Sequence, residues 1–224
     1  MERLESKFQG SLYRFAMDMK QSIVSDPAQD LEQCLKRTLN RFGIEVSDAE
    51  FAELAYEYRD IDQYARVYYR DRMIRSLIKK RIFIHVYGNG WDEFEGEGKE
   101  YLIIENGDPK AALSAVADAK ISINIMPWFK AGFQERIATA MLSGTVSVTD
   151  SSSYIEEHFQ NGRELVLYDL QNLNVLPEKI NWLLSHEDEA EKIAKAGEKS
   201  AQNSLTWQCR AEEMLSNMKL NKYK

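Results

Sequence analysis

The sequence predicts an α/β fold with a mostly parallel sheet, preceded by an all-helical N-terminal segment. Three observations carry this. Residues 1 to about 80 show only helical periodicity, with apolar residues three and four apart. Beyond Arg81 short apolar strands alternate with helical stretches, the pattern of parallel βαβ units. Residues 120–150, KISINIMPWFKAGFQERIATAMLSGTVSVTD, read in one stretch as strand, loop, helix, tight turn, strand.

Each element follows in order. Residues 12–23 place Leu12, Phe15, Ala16, Met19 and Ile23 on one side of a helix. Asp26-Pro27 marks a turn and a new start, with Pro27 in a first helical turn, where its missing N–H does no harm. Leu31, Cys34, Leu35 and Leu39 continue this second helix until Gly43. Ser47 and Glu50 form a capping box for a third helix carrying Phe51, Leu54 and Ala55. A fourth spans 60–80 and reads as the first outer helix of the sheet domain. Its basic side chains, Arg66, Arg70, Arg72, Arg75, Lys79 and Lys80, suit a helix C-terminus. Strands are expected at 82–87, 101–104, 120–126, 145–149 and 164–168. Helices are expected at 109–119, with Leu113, Val116 and Ala117 inward, and at 133–143, 154–159, 175–185, 187–203 and 207–218. The domain division is placed at 1–59, a helical extension, and 60–224.

The chain of 224 residues carries a formal charge of −7, which argues against a general nucleic-acid binder. The basic helix at 60–80 is the one feature on the other side. Cys34 and Cys209 form no CxxC or metal-ligand pattern, suit a reducing compartment, and read as packed or surface thiols. No metal cluster is visible: His85 lies in an apolar strand, His158 near a helix end and His186 between helices. The start, MERLESKFQGSLYRF, has no long apolar core and no small-residue cleavage site, so it does not read as a signal peptide. No run approaches the ~20 apolar residues of a transmembrane segment. The cytoplasm is the default location.

Gly88-Asn89-Gly90 follows a strand, as a nucleotide-binding turn does. No GxGxxG opens a helix there and no Walker-type loop is present, so a plain strand-ending turn remains an equal reading. The segment from Pro127 and Trp128 to Arg136 is richer. Gly132 permits a tight turn, and the amides of Gly132, Phe133 and Gln134 are expected at a helix start, a ready anion site. Lys130 and Arg136 add positive charge suited to a diphosphate. Glu135 either accepts a ribose or sugar hydroxyl or simply answers the helix dipole. Ser151-Ser152-Ser153 either binds phosphate or caps the helix after it. There is no GxSxG elbow, and no catalytic base can be named.

Residues 60–210 resemble the C-terminal domain of group 1 glycosyltransferases of the GT-B fold, and within them the CgeB-like bacterial subgroup. The likeness rests on YYRDRMIRSLI at 68–78, HVYGNGW at 85–91, ISINIMPWFKAGFQERIATAMLSGTVSVTD at 121–150, YIEEHFQNGRELVLYDL at 154–170 and TW at 206–207. It implies a Rossmann-like three-layer domain over 60–224, the single C-terminal half of a GT-B fold. It implies a nucleotide-diphosphate sugar as substrate, transferred to an acceptor hydroxyl, with no cofactor and no metal. The donor-binding residues so implied are Gly88, Asn89, Gly90, Pro127, Trp128, Lys130, Gly132, Phe133, Gln134, Glu135 and Arg136. Asp150 and Ser151 would lie near the sugar or phosphate, and Glu157 in the acidic helical stretch before Asn161-Gly162. Two departures stand out. Many group members carry a Glu-x7-Glu pair, and alignment on AMLSG puts those positions at Ala131 and Thr139. The subgroup often has histidine where Gln134 stands. The chain has sequence for one Rossmann-like domain, so it is expected to be a piece of a longer protein, or else a natural short relative, and weakly active or inactive alone. Its N-terminal helices would then face a missing N-terminal domain or a second copy. A non-catalytic ligand-binding or interaction domain on the same scaffold is the alternative.

Overall fold

The computed structural model describes residues 10–105 and 107–220. The leader reading of the first nine positions lies outside them. Two compact units form: one of the residues up to Arg75 together with Pro127–Lys130, the other of Ser76–Met126 and the residues from Ala131 on. The sequence places its division at 59/60; the units part inside one continuous helix, after Arg75.

The helical unit contains α1 (Gly10–Ser25), α2 (Leu31–Phe42), α3 (Asp48–Glu57) and α4 (Arg59–Ile78) as far as Arg75. Except for Leu12, which is 57% exposed because it lies one turn outside the packed stretch, the expected apolar stripes meet in one core: Phe15, Ala16, Met19 and Ile23 pack with Cys34, Leu35, Leu39, Tyr58, Ile61 and Ala65. α2 begins at Leu31, not at Pro27 as the sequence suggests. Two aspartates decide this. The Asp26 carboxylate accepts the Ala28 amide at 2.9 Å, and Gln29 N–H bonds the Asp26 carbonyl at 3.1 Å, closing a turn around Pro27. Asp30 then accepts the Gln33 amide at 2.7 Å and caps the helix. Gly43, at φ 66°, ends it in the left-handed conformation that favours glycine. The Ser47–Glu50 capping box forms as expected. Buried Tyr69 donates its hydroxyl hydrogen to the Val24 carbonyl at 2.9 Å, joining α4 to the end of α1.

The second unit holds β1 (Ile84–Tyr87), β2 (Leu102–Glu105), α5 (Pro109–Asp118), β3 (Ile121–Ile123), α6 (Glu135–Leu142), β4 (Val146–Asp150), α7 (Ser153–His158), β5 (Val166–Tyr168), α8 (Leu176–Ser185), α9 (Glu187–Ser204) and α10 (Trp207–Leu220). It is a mixed α/β unit whose strands all pair in parallel and are flanked by helices. The expected single sheet is, among the described residues, two ladders: β1 with β2, and β3-β4-β5. β3 is short because the chain turns out before Pro127, which has no amide to give to a ladder. Asn124 still donates its amide to the Val148 carbonyl at 2.8 Å. β4 is buried along its whole length, as a parallel strand covered on both faces should be. Helices α6 and α9 pack on it. Met126, Ile137, Met141, Ile155, Phe159, Leu165, Ala201 and Leu205 form the core beneath.

Two expectations fail here. Leu113 of α5 is 56% exposed and Ala117 is also exposed, while only Val116 is half-buried. The apolar spacing shows that a face exists but not which neighbour covers it. Strand 82–87 begins only at Ile84, because Arg81 takes φ 61° and Ile82 bonds back to the Leu77 carbonyl at 3.3 Å, leaving Phe83 exposed. No helix among the described residues is long and apolar enough to cross a membrane.

Candidate functional site

In parallel α/β units ligands gather at the C-terminal ends of the strands. After β1, Gly88 and Gly90 take φ 121° and 86°, values open to glycine and strained for other residues. The chain after β2 comes against this turn. A Cβ added to Gly107 would lie 3.0 Å from Gly88 Cα and 3.6 Å from Asn89 Oδ1. Sequence reasoning missed Gly107, because a lone glycine before the Asp108-Pro109 helix start reads as ordinary punctuation.

The end of β4 is a hydrogen-bonded cluster. Asp150 is buried, and its Oδ1 accepts the Met126 amide at 2.6 Å. Ser151 Oγ donates to Glu156 Oε1 at 2.6 Å. Ser152 is 4% exposed; its Oγ–H donates to the Gly132 carbonyl at 2.5 Å, and the same oxygen accepts the Ile155 amide at 3.2 Å as the N-cap of α7. Of the two readings of the serine run, capping is thus realised, at Ser152. On the neighbouring strand Tyr168 donates its hydroxyl hydrogen to the Asn124 carbonyl at 2.8 Å. Burial, with the adjacent Asp150 charge, pushes that hydroxyl well above its ordinary range, so it stays protonated and donating.

The helix start differs from the expected one. α6 begins at Glu135, with Gln134 as an extended N-cap at φ −91° and ψ 145° that makes no side-chain cap bond. Gly132 and Phe133 lie upstream. Two contacts keep them out of the helix: Ser152 holds the Gly132 carbonyl, and the Phe133 ring stacks on Tyr154 with centroids 5.2 Å apart. The amides at the positive end of α6 are therefore those of Glu135 and Arg136, and both side chains are exposed. Tyr154, also stacked on His158 at 4.0 Å and accepting from Arg210 Nη2 at 2.7 Å, is a further residue the sequence reading missed. Its signal, an aromatic one turn before a histidine, is too common to single out. Glu157 is exposed and lines a shallow depression with His158, Asn161 and Arg163.

Pro127, Trp128 and Lys130 belong to the helical unit. Trp128 takes φ 56°, uncommon for a bulky side chain. Phe129 N–H bonds the Pro127 carbonyl at 2.7 Å and Lys130 N–H the Trp128 carbonyl at 2.8 Å, two successive three-residue turns. Such strain costs on the order of 1–3 kcal/mol and persists only where the surroundings enforce it. Here the Trp128 amide donates to the Pro27 carbonyl at 2.5 Å, and the Arg66 guanidinium lies 4.7 Å from the indole centroid. Trp128 Nε1 is buried without a hydrogen-bond partner. Among the described residues no group of three His, Cys, Asp or Glu is placed to hold a metal ion.

Residues 59–216 match the family model described as glycosyl transferase-like. Among solved structures the chain is similar to sucrose-phosphate synthase from Thermosynechococcus elongatus, with a TM-score of 0.54 and 16% identity over 69% of this chain. That is a likeness of fold, and the chain spans 43% of the length of that protein. No curated protein matches.

Proposed function

This chain belongs to the glycosyl transferase-like family, and we propose on that footing that its α/β unit binds a nucleotide-diphosphate sugar for transfer to an acceptor hydroxyl. The observation that supports the reading is the strand-end cluster in which Ser152 ties Gly132 beside the start of α6. In this reading the diphosphate lies at the Glu135 and Arg136 amides, with the Arg136 guanidinium beside it. Gly107 packs against the turn, while Gly88 and Gly90 border open space, which leaves their backbone accessible to a ligand in this reading. The acceptor oxygen attacks the anomeric carbon, the bond from that carbon to the diphosphate oxygen breaks, and the nucleoside diphosphate leaves. Preorganised amides and one cation stabilise its charge. We place the chain in the CgeB-like subgroup, as the C-terminal half of a two-domain enzyme whose other half supplies the acceptor site.

Arg136→Ala tests this. A charge-assisted hydrogen bond contributes about 1.5 kcal/mol at the lower end, fitting an exposed side chain, and its loss weakens diphosphate binding roughly tenfold. Nucleoside binding should barely change. Equal loss for both ligands contradicts the assignment. A second reading, donor binding without transfer, is favoured by Ala131 and Thr139 at the positions of the acidic pair. Release of nucleoside diphosphate from sugar donors by the 224-residue chain separates the two.

A further inference from the structure

We infer that α10 is a self-association surface: two copies of this chain pair antiparallel through its apolar stripe of Trp207, Ala211, Met214 and Met218. The inference does not depend on the function proposed above. These residues recur at steps of four, three and four, the spacing of a coiled-coil seam. Leu215 widens the stripe on one side. An amphipathic helix ordinarily turns such a stripe to its own core. α10 turns it outward: Trp207 is 85% exposed, Met214 67%, Leu215 57% and Met218 64%. Other side chains anchor the helix. Cys209 Sγ donates to the Asn203 carbonyl at 3.5 Å, and Arg210 Nη2 donates to the Tyr154 hydroxyl oxygen at 2.7 Å. At 3.6 residues per turn, Cys209 lies on the side away from Trp207 and Met218. Every residue from Ala211 to Met218 is exposed, and so short a helix is marginal in water without packing.

The stripe is complementary to a second copy of itself. A two-fold axis crossing α10 between Glu212 and Glu213 sets Trp207 opposite Met218 of the second copy and, by the same operation, Ala211 opposite Met214. The first pair brings a thioether to an indole, and the second sets a small side chain against a large one. A parallel pair would instead oppose Ala211 to Ala211 and leave a gap. Antiparallel helices also place each positive end beside a negative one. The stripe holds no charge. Glu212 and Glu213 lie off it, and Glu213 accepts from Arg210 at 2.8 Å, so two chains of net charge −7 meet without like charges in the seam. Covering the exposed parts of these side chains on both copies removes on the order of 1,000 Å² of surface, where specific interfaces begin.

The test is sedimentation equilibrium of the full chain from about 1 μM to about 1 mM, the range suited to an interface at the small end. The parent should show a reversible monomer–dimer equilibrium and no larger species, because a two-fold contact closes on itself. Ala211→Lys and Met214→Glu each put an unpaired charge in the seam and should weaken the dimer about thirtyfold, the loss at a hot spot. Ser216→Glu, on the far side of the helix, should leave it unchanged. All three positions are exposed, so circular dichroism should match the parent. Mixing the two seam variants should restore association. The introduced lysine then meets the introduced glutamate at one crossing, and the native Ala211–Met214 pair forms at the other. A parent that stays monomeric across the range overturns the proposal, as it would if another part of the same chain covers the stripe. Seam variants that dimerise like the parent overturn it too. So does a mixture no tighter than either variant alone, or a loss for Ser216→Glu as large as for Met214→Glu.

Discussion

Replacing Ser152 by alanine removes two hydrogen bonds made by one oxygen, the cap on the Ile155 amide and the tie to the Gly132 carbonyl. An N-cap serine contributes about 1 kcal/mol over alanine. A part-buried neutral hydrogen bond contributes about 1 kcal/mol net. Ser152 is only 4% exposed, so water does not readily take over either role. The α/β unit should lose about 2 kcal/mol, a fall in Tm of roughly 4–8 °C for a chain of this size. Ser152→Thr keeps the hydroxyl and should stay within about 1 kcal/mol of the parent, whereas Ser152→Gly spares most of the cap and loses mainly the tie. Thermal unfolding followed by circular dichroism measures the sum, and hydrogen exchange at the Ile155 amide isolates the cap. The reasoning is refuted if Ser152→Ala melts with the parent. It is also refuted if the threonine variant falls as far as the alanine one, since space and not hydrogen bonding would then decide.

Three further outcomes follow from the same structure. Gly197→Ala in α9 should destabilise although alanine is the better helix former by about 1 kcal/mol. A Cβ there would run into the Glu164 carbonyl, and overpacking of about 1–3 kcal/mol outweighs the gain; a raised Tm would contradict the packing described. The Ser47 amide and hydroxyl hold the Glu50 carboxyl below its ordinary value of 4.5. Its contribution to stability is therefore complete above pH 4.5 and fades as pH falls through the lowered folded value. An NMR titration should place its midpoint below 4.5, Glu50→Gln should flatten the acid limb, and a midpoint at or above 4.5 would contradict the capping box. Burial pushes the Cys34 thiol up to about 11, whereas Cys209 is partly exposed. A thiol reagent at pH 8 should therefore titrate Cys209 alone until the chain is unfolded. Fast reaction of both thiols in the folded protein would count against the buried site.

Where local chemistry decides structure, the sequence was readable. Ser47 and Glu50 cap α3, Gly43 stops α2, and the stripes of α1 and α2 meet in the core they imply. Where two signals compete, it was not. Pro27 fits a first helical turn, but the paired carboxylates of Asp26 and Asp30 claim the nearby amides and move the start to Leu31. The candidate loop was legible as a loop, with its glycine and its charges. Its helix start was not, because Gly132 and Phe133 are drawn away by Ser152 and Tyr154, residues far along the chain. No residue type announces the positive φ of Trp128, which depends on Pro27 and Arg66. Gly107 and Gly197 matter through close approach to another segment, a property of the fold and not of local pattern.

The most direct test of the central claim is a calorimetric titration of the purified chain with UDP, GDP, ADP, TDP and their sugar conjugates, with uridine as the phosphate-free control. Saturable binding that requires the diphosphate, and that weakens roughly tenfold in Arg136→Ala, is the predicted result. No binding across the panel, or binding as strong to uridine as to UDP, would contradict it.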